Sequence, residues 1–267
     1  MTIEDKIKAF KQPKGGYLPV TTFEPMPQKL IGSLCRKENI PAFLVDRTVI
    51  CMTDFLLGRE KMTSFLKAMT NAPHQQTPDA EAVAKVCFEN IKGLDDESIV
   101  NAVKLITFEQ EDTNAFNFVP YYKVHLERAT IINLMHLINR SVVFFKKNGE
   151  LKRNIKFTPA DMSSPKEWLE IKENFGGYSP TINDGDCAYL TEDTIWDFRV
   201  SYNPPNPKHT LLVASEWVMS KHSGRAIFGG VKYIGIYNPR FNIAYRMPVA
   251  DIPKNVISVI ENQIIRY

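Results

Sequence analysis

The residues best able to do chemistry lie in the segment Tyr178–Val200, in which two strand-like runs flank Glu192 and Asp193. Two polar residues between two such runs predict a β-hairpin, although they are not the preferred Asn-Gly or Asp-Gly pair. A turn at these two positions sets the register of the hairpin and places Tyr189 opposite Trp196. Each position of the segment can therefore be assigned to one face of the hairpin.

Four ionisable residues fall on the same face of this hairpin, because residues two apart in a strand share a face. They are Asp184, Asp186, Asp197 and Arg199. Buried charges are costly unless they are paired or bound to a metal. Neighbouring carboxylates offer an oxygen-rich site for Mg²⁺ or Mn²⁺, and the metal would activate water for hydrolysis. Alternatively, Asp186 lies opposite Arg199 in a cross-strand salt bridge that only stabilises the sheet, and Asp184 is a turn residue.

This arrangement resembles the PD-(D/E)XK nuclease superfamily, in particular its helicase-associated and phage exonuclease branch. The resemblance rests on an acid in one strand, Asp186, and on the tripeptide Asp197-Phe198-Arg199 in the next, followed by a helix from Lys208 to His222. A long helix from Tyr122 to Lys147 matches the opening helix of the family's core. The resemblance covers roughly residues 120–250 and implies a mixed central sheet flanked by helices, which is a restriction-endonuclease-like α/β core.

The resemblance implies a metal-dependent nuclease that hydrolyses phosphodiester bonds in nucleic acid, with DNA the expected substrate. Asp186 and Asp197 would bind Mg²⁺ or Mn²⁺, Arg199 would contact the scissile phosphate, and Glu127 would be a further acid beside the metal. Arg199 stands where the family has lysine, and arginine keeps its charge and cannot act as a base, although it binds phosphate in a bidentate manner. A second departure is Leu211-Leu212, where this branch often has a glutamine.

These departures leave a second function open, that of a catalytically inactive nuclease-fold protein. Such a protein would bind DNA or a protein partner in a phage, mobile-element or defence context. A third interpretation is a helical interaction protein in which the hairpin motif is coincidental. Basic residues that flank the later helix favour nucleic acid, since a phosphate-binding groove needs them; the alternative is a solvated basic surface. The candidates are Lys208, Lys221 and Arg225, and the aromatic residues that could stack on bases are Tyr202, Trp217 and Tyr237.

Three regions are expected along the chain. Residues 1–41 are rich in Pro, Gly and Lys and predict an extended arm, whereas residues 42–118 show helical periodicity. Residues 119–267 hold the nuclease-like core, in which strands are expected near 155–158, in the hairpin, over 231–237 and over 243–249. The N-terminal helices are the expected contact for a protein partner.

Composition excludes several classes of protein. The chain has 267 residues, of which 44% are hydrophobic and 24% charged, as in ordinary globular proteins. No apolar run approaches the ~20 residues that span a bilayer, and no signal peptide is visible, so a cytosolic protein without membrane attachment is expected. The four cysteines show no C-x-x-C spacing, and motifs for nucleotide-binding loops are missing. A net charge of +3 permits a local basic patch.

Overall fold

The computed structural model describes residues 1–35, 37–75, 79–110, 118–157, 179, 181–182 and 186–267, and only the backbone of 153, 154, 156 and 186–188. These residues form two compact units. The first combines Met1–Gln28 with Asn148–Tyr267, and the second is Lys29–Lys147. In the part of the chain so described, no helix is long and apolar enough to cross a membrane.

The first unit combines helices and strands, whereas the described part of the second unit is helical. The helices are α1 (Ile3–Ala9), α2 (Ala42–Leu56), α3 (Lys61–Ser64), α4 (Leu66–Asn71), α5 (Ala80–Asn90), α6 (Asp96–Ile106), α7 (Arg128–Lys147), α8 (Pro207–His222) and α9 (Lys254–Val259), which continues as a π-helical turn over Ile260–Ile265. The strands are β1 (Glu24–Pro27), β2 (Lys152–Lys156), β3 (Asp186–Leu190), β4 (Thr194–Phe198), β5 (Tyr233–Asn238) and β6 (Ile243–Pro248).

The strands of the first unit form one mixed sheet in the order β1-β6-β5-β4-β3-β2. β4 and β5 are parallel, and the other neighbours are antiparallel. Parallel neighbours need a long crossover, which α8 provides. The expected fold class, a mixed sheet flanked by helices, is therefore confirmed.

Helix α8 lies at the centre of the apolar core of the first unit. Each of its residues from Thr210 to Ser220 is buried, as expected of a helix surrounded by other elements. It packs in one core cluster with Ile7 of α1, Ile195 and Ile236 of the sheet, and Ile264 near the C-terminus. The helix that follows the Asp-Phe-Arg tripeptide is thus packed in the same core as the strand that carries Asp197.

The hairpin β3–β4 has the register that the sequence predicts. Tyr189 pairs with Trp196, and the Thr191 N–H donates to the Thr194 carbonyl at 3.0 Å. The buried indole Nε1 of Trp196 donates to Thr191 Oγ1 at 2.9 Å. On β5, a Cβ at Gly235 would lie 2.3 Å from the Trp196 ring, so only glycine fits there. The register is thus secured both by the turn and by the packing of Trp196.

The N-terminal residues differ from the extended arm that their composition suggests. They form α1, where the Asp5 N–H donates to the side chain of the N-cap Thr2 at 3.1 Å, and where Ile3 and Ile7, one turn apart, are buried. They also form β1, which pairs with β6 along the edge of the sheet. Prolines at two positions of this strand suit an edge, because proline cannot donate to a strand ladder.

The second unit is a helical unit that includes α7. Asp95 caps α6, because its Oδ1 accepts the Ser98 N–H at 2.8 Å. α7 begins at Arg128 and not at Tyr122, since residues 121–123 form a 3₁₀ turn after Pro120. The resemblance implies that this helix belongs to the core with the sheet, whereas the structure includes it in the second unit.

Candidate functional site: an ion-paired centre and a basic groove

Asp197 and Arg199, the acid and the base of the Asp-Phe-Arg tripeptide, pair with each other. The Arg199 Nε donates to Asp197 Oδ2 at 2.5 Å. The two side chains share a face because they are two residues apart at the end of β4. The Arg199 backbone N–H also donates to the Tyr237 carbonyl of β5 at 3.0 Å. The side chain of Asp197 is only 10% exposed, so this carboxylate contacts the Arg199 guanidinium and has little contact with water.

Helix α1 supplies a second carboxylate to the same arginine. Glu4 Oε1 lies 3.8 Å from a terminal nitrogen of Arg199 and 3.2 Å from Lys8 Nζ on its own helix. Sequence reasoning missed Glu4, because nothing local links residue 4 to the tripeptide. The sequence does place two isoleucines, Ile3 and Ile7, one helical turn apart, as an amphipathic helix would. In the structure both are buried and hold α1 against the core. We name Glu4, Asp197 and Arg199 the ion-paired centre.

The ion-paired centre shifts the pKa values of its members. Burial raises the pKa of Asp197 above its usual range, and the Arg199 guanidinium only partly offsets this. Burial acts to lower the pKa of Arg199, but the nearby carboxylates of Asp197, Glu4 and Glu216 raise it overall. Arg199 therefore stays charged and holds a fixed positive charge among acids.

His209 lies next to the ion-paired centre and caps the start of α8. Its Nδ1 accepts the Asn206 N–H at 3.2 Å, while Asn206 Oδ1 accepts the Lys208 N–H at 2.9 Å. This is a reciprocal capping box. Burial, helped by the positive charge of Arg199, lowers the pKa of His209 to about 4. The ring is therefore neutral at physiological pH, as its role as a hydrogen-bond acceptor requires.

The described residues do not form a metal centre. Asp186 is the first residue of β3 and pairs with Lys156 of β2, but its side chain lies outside the described part of the structure, as does the whole of Asp184. Among the side chains that are described, no three His, Cys, Asp or Glu residues are placed to hold a metal ion. Asp197 already faces a guanidinium, whose fixed positive charge opposes a divalent cation at this carboxylate.

Glu127, the predicted additional acid, belongs to the second unit. It lies immediately before α7, it is exposed, and its N–H donates to Asn39 Oδ1 at 3.2 Å. The ion-paired centre is built within the first unit and does not include it.

A basic groove of about 600 Å³ lies between the segment after α1 and the start of α8. Its lysines are Lys8, Lys11 and Lys208, and Lys208 Nζ donates to the Lys8 carbonyl at 2.8 Å. The wall is close-fitting at Gly16, where a Cβ would lie 2.2 Å from Pro207. Through Lys8 the basic groove adjoins Glu4 and hence the ion-paired centre.

The other two predicted nucleic-acid contacts lie at the far end of α8. Lys221 is exposed and its Nζ lies 5.1 Å from the centre of the Trp217 ring; Arg225 follows the helix. Lys221 lies thirteen positions after Lys208 along the helix, which is ~20 Å along the axis. The structure therefore does not bring the three basic residues to one place. Of the aromatic residues proposed to stack on bases, Trp217 and Tyr237 are buried.

Comparison with known proteins found no family model, no curated protein and no solved structure that matches this chain.

Proposed function

We propose that this chain is a nucleic-acid-binding protein with a nuclease-like α/β core and that it does not cleave what it binds. The contact that carries the proposal is the 2.5 Å hydrogen bond from Arg199 to Asp197. It lies within the tripeptide on which the resemblance to nucleases rests. We also propose a cytoplasmic location, because the cysteines described are free thiols, as is usual in a reducing compartment.

The ion pair opposes cleavage for two reasons. First, a divalent cation needs carboxylate oxygens, and the charge of the Asp197 carboxylate is balanced by a guanidinium that cannot lose its proton. A metal ion would have to displace or be repelled by that fixed charge. Second, an arginine in the position of the family's lysine cannot take a proton from water. Helix α1 adds a second carboxylate beside this guanidinium, because Glu4 lies 3.8 Å from Arg199.

The basic groove supports binding to a nucleic-acid backbone. Lysines on both of its walls face one concavity, and each lysine that meets a phosphate releases counterions from the nucleic acid. The chain as a whole carries a net charge of only +3. The attraction for a polyanion would therefore come from the lysines gathered at this groove. DNA is the expected ligand on the strength of the resemblance.

A metal-dependent nuclease is the second candidate, and the order of elements favours it. The strand that begins at Asp186 (β3), the strand that carries Asp197 (β4) and a helix (α8) follow one another, in the order on which the resemblance rests. In this alternative Asp186 and Asp197 bind Mg²⁺ or Mn²⁺ and Arg199 binds the scissile phosphate.

Cleavage assays separate the two candidates. Circular DNA, linear DNA and RNA are incubated with the wild type and with Arg199→Lys and Asp197→Ala, in Mg²⁺ and in Mn²⁺. Asp251→Ala, which removes an exposed carboxylate of the same unit, is the matched control. The proposal expects no cleavage by the wild type and metal-dependent cleavage, if any, only after Arg199→Lys. Cleavage by the wild type that Asp197→Ala abolishes and the control retains would establish the nuclease instead.

A further inference from the structure

An arginine stacks on an exposed tyrosine ring beyond the carboxyl ends of β4 and β5, and an exposed phenylalanine follows the arginine in the chain. The Arg240 guanidinium carbon lies 3.7 Å from the centre of the Tyr202 ring. Tyr202 is 42% exposed and Phe241, the next residue after Arg240, is 48% exposed. We name Tyr202, Arg240 and Phe241 the aromatic clamp.

A buried asparagine holds the aromatic clamp in place. Asn238 is only 3% exposed. Its Nδ2 donates to the Ser201 carbonyl at 2.7 Å, beside Tyr202, and its Oδ1 accepts the Arg240 N–H at 3.0 Å. One side chain thus ties the loop after β4 to the turn after β5. The positions of these residues are therefore fixed before a ligand binds, so that binding would cost little conformational entropy.

The aromatic clamp and the ion-paired centre both lie at the carboxyl ends of the parallel strands β4 and β5. Tyr202 follows Arg199 by three residues, and Arg240 follows the end of β5 by two. β4 and β5 run parallel, so both segments leave the sheet at the same edge. In open α/β sheets the carboxyl ends of parallel strands are where ligands bind.

We propose that the aromatic clamp binds the unpaired bases of single-stranded nucleic acid; this rests on the proposed function. An exposed ring offers a stacking surface to any base, and Arg240 adds a positive charge that suits a neighbouring phosphate and a planar group that stacks. A duplex keeps its bases stacked on one another, whereas a single strand can place a base on the ring. The clamp therefore makes the protein prefer single strands, while the basic groove binds phosphates of either form.

Fluorescence anisotropy with three labelled probes tests this. The probes are a homopolymeric single strand of about 16 nucleotides, a duplex of equal length, and the same single strand with abasic sites in its middle. We expect the wild type to bind the intact strand about fivefold to a hundredfold more tightly than the abasic strand, which is the range for one stacked base. Tyr202→Leu and Phe241→Leu should remove this difference and leave duplex affinity unchanged. Tyr122→Leu, at an exposed tyrosine of the second unit, is the control.

Each outcome bears on the inference. Equal affinity of the wild type for the intact and abasic strands overturns the aromatic clamp and leaves the proposed function standing. No binding of any probe overturns both and favours a protein partner at the same rings. A loss of duplex and single-strand affinity together in Tyr202→Leu, with an unchanged unfolding temperature, also overturns a base-specific role.

Discussion

The neutral His209 makes a specific prediction about acid stability. In the unfolded chain the imidazole takes up a proton below its ordinary pKa of 6.5, whereas in the folded chain it does so only near 4. Between these values the unfolded state binds more protons, so lowering the pH lowers the free energy of unfolding. This contribution is complete above about pH 6.5 and is lost as the pH falls toward 4.

The magnitude follows from the two pKa values. At about pH 4.5 a shift from 6.5 to about 4 corresponds to about 2.5 kcal/mol relative to neutral pH. The ring is half-buried, so water screens part of this, and we expect about 1 kcal/mol. His209→Gln isolates the effect, because glutamine at this position also accepts the N-cap N–H and does not titrate.

Urea unfolding at about pH 7 and about pH 4.5, for the wild type and His209→Gln, measures the difference. Carboxylates that titrate in both proteins cancel in this comparison. We expect the wild type to lose about 1 kcal/mol more than the variant between the two pH values. An equal loss in both proteins would refute the assignment of a depressed pKa to His209.

Three further predictions concern binding and packing. Lys208→Gln should weaken binding of a nucleic-acid probe about threefold to tenfold and reduce its salt dependence by about one ion, while Lys221→Gln should leave both unchanged; the reverse result would move the interface to the far end of α8. Arg47→Ala should lower the free energy of unfolding by about 3 kcal/mol, because it leaves the buried carboxylate of Glu109 without its partner in a 2.6 Å ion pair. Lys85→Ala, which removes an exposed ion pair, should change the free energy of unfolding little. Equal urea midpoints for the two variants would contradict this. Gly235→Ala should lower the free energy of unfolding by about 2 kcal/mol, since the added Cβ would clash with the Trp196 indole. A stability near that of the wild type would show that the sheet can move to accommodate the methyl group.

The sequence predicted the hairpin and α8 because local physics determines both. A two-residue turn and the two-residue period of a strand leave one register, and Trp196 therefore falls opposite Tyr189 as expected. The capping residue Asn206 and the proline after it give α8 a clear start. The two candidate residues nearest this hairpin's end, Asp197 and Arg199, accordingly share one face.

The contacts that decide the chemistry were not predictable from the sequence, because they join distant residues. Glu4 reaches Arg199 across 195 positions, and no local pattern indicates such a pair. One alternative paired Arg199 with Asp186 across the strands; that side chain lies outside the described part of the structure, and the contact described for Arg199 is with Asp197 on its own strand. Lys208 and Lys221 were grouped by charge alone, and the length of α8 separates them.

The central claim is that this protein binds nucleic acid and leaves it intact. The most direct test incubates the wild type with an end-labelled strand in Mn²⁺, isolates the bound complex, and runs the recovered strand on a denaturing gel. We expect a bound strand of full length at every time point. Strands that shorten with time in Mn²⁺, and that stay intact with Asp197→Ala, would contradict the claim and show that the ion pair opens to admit a metal.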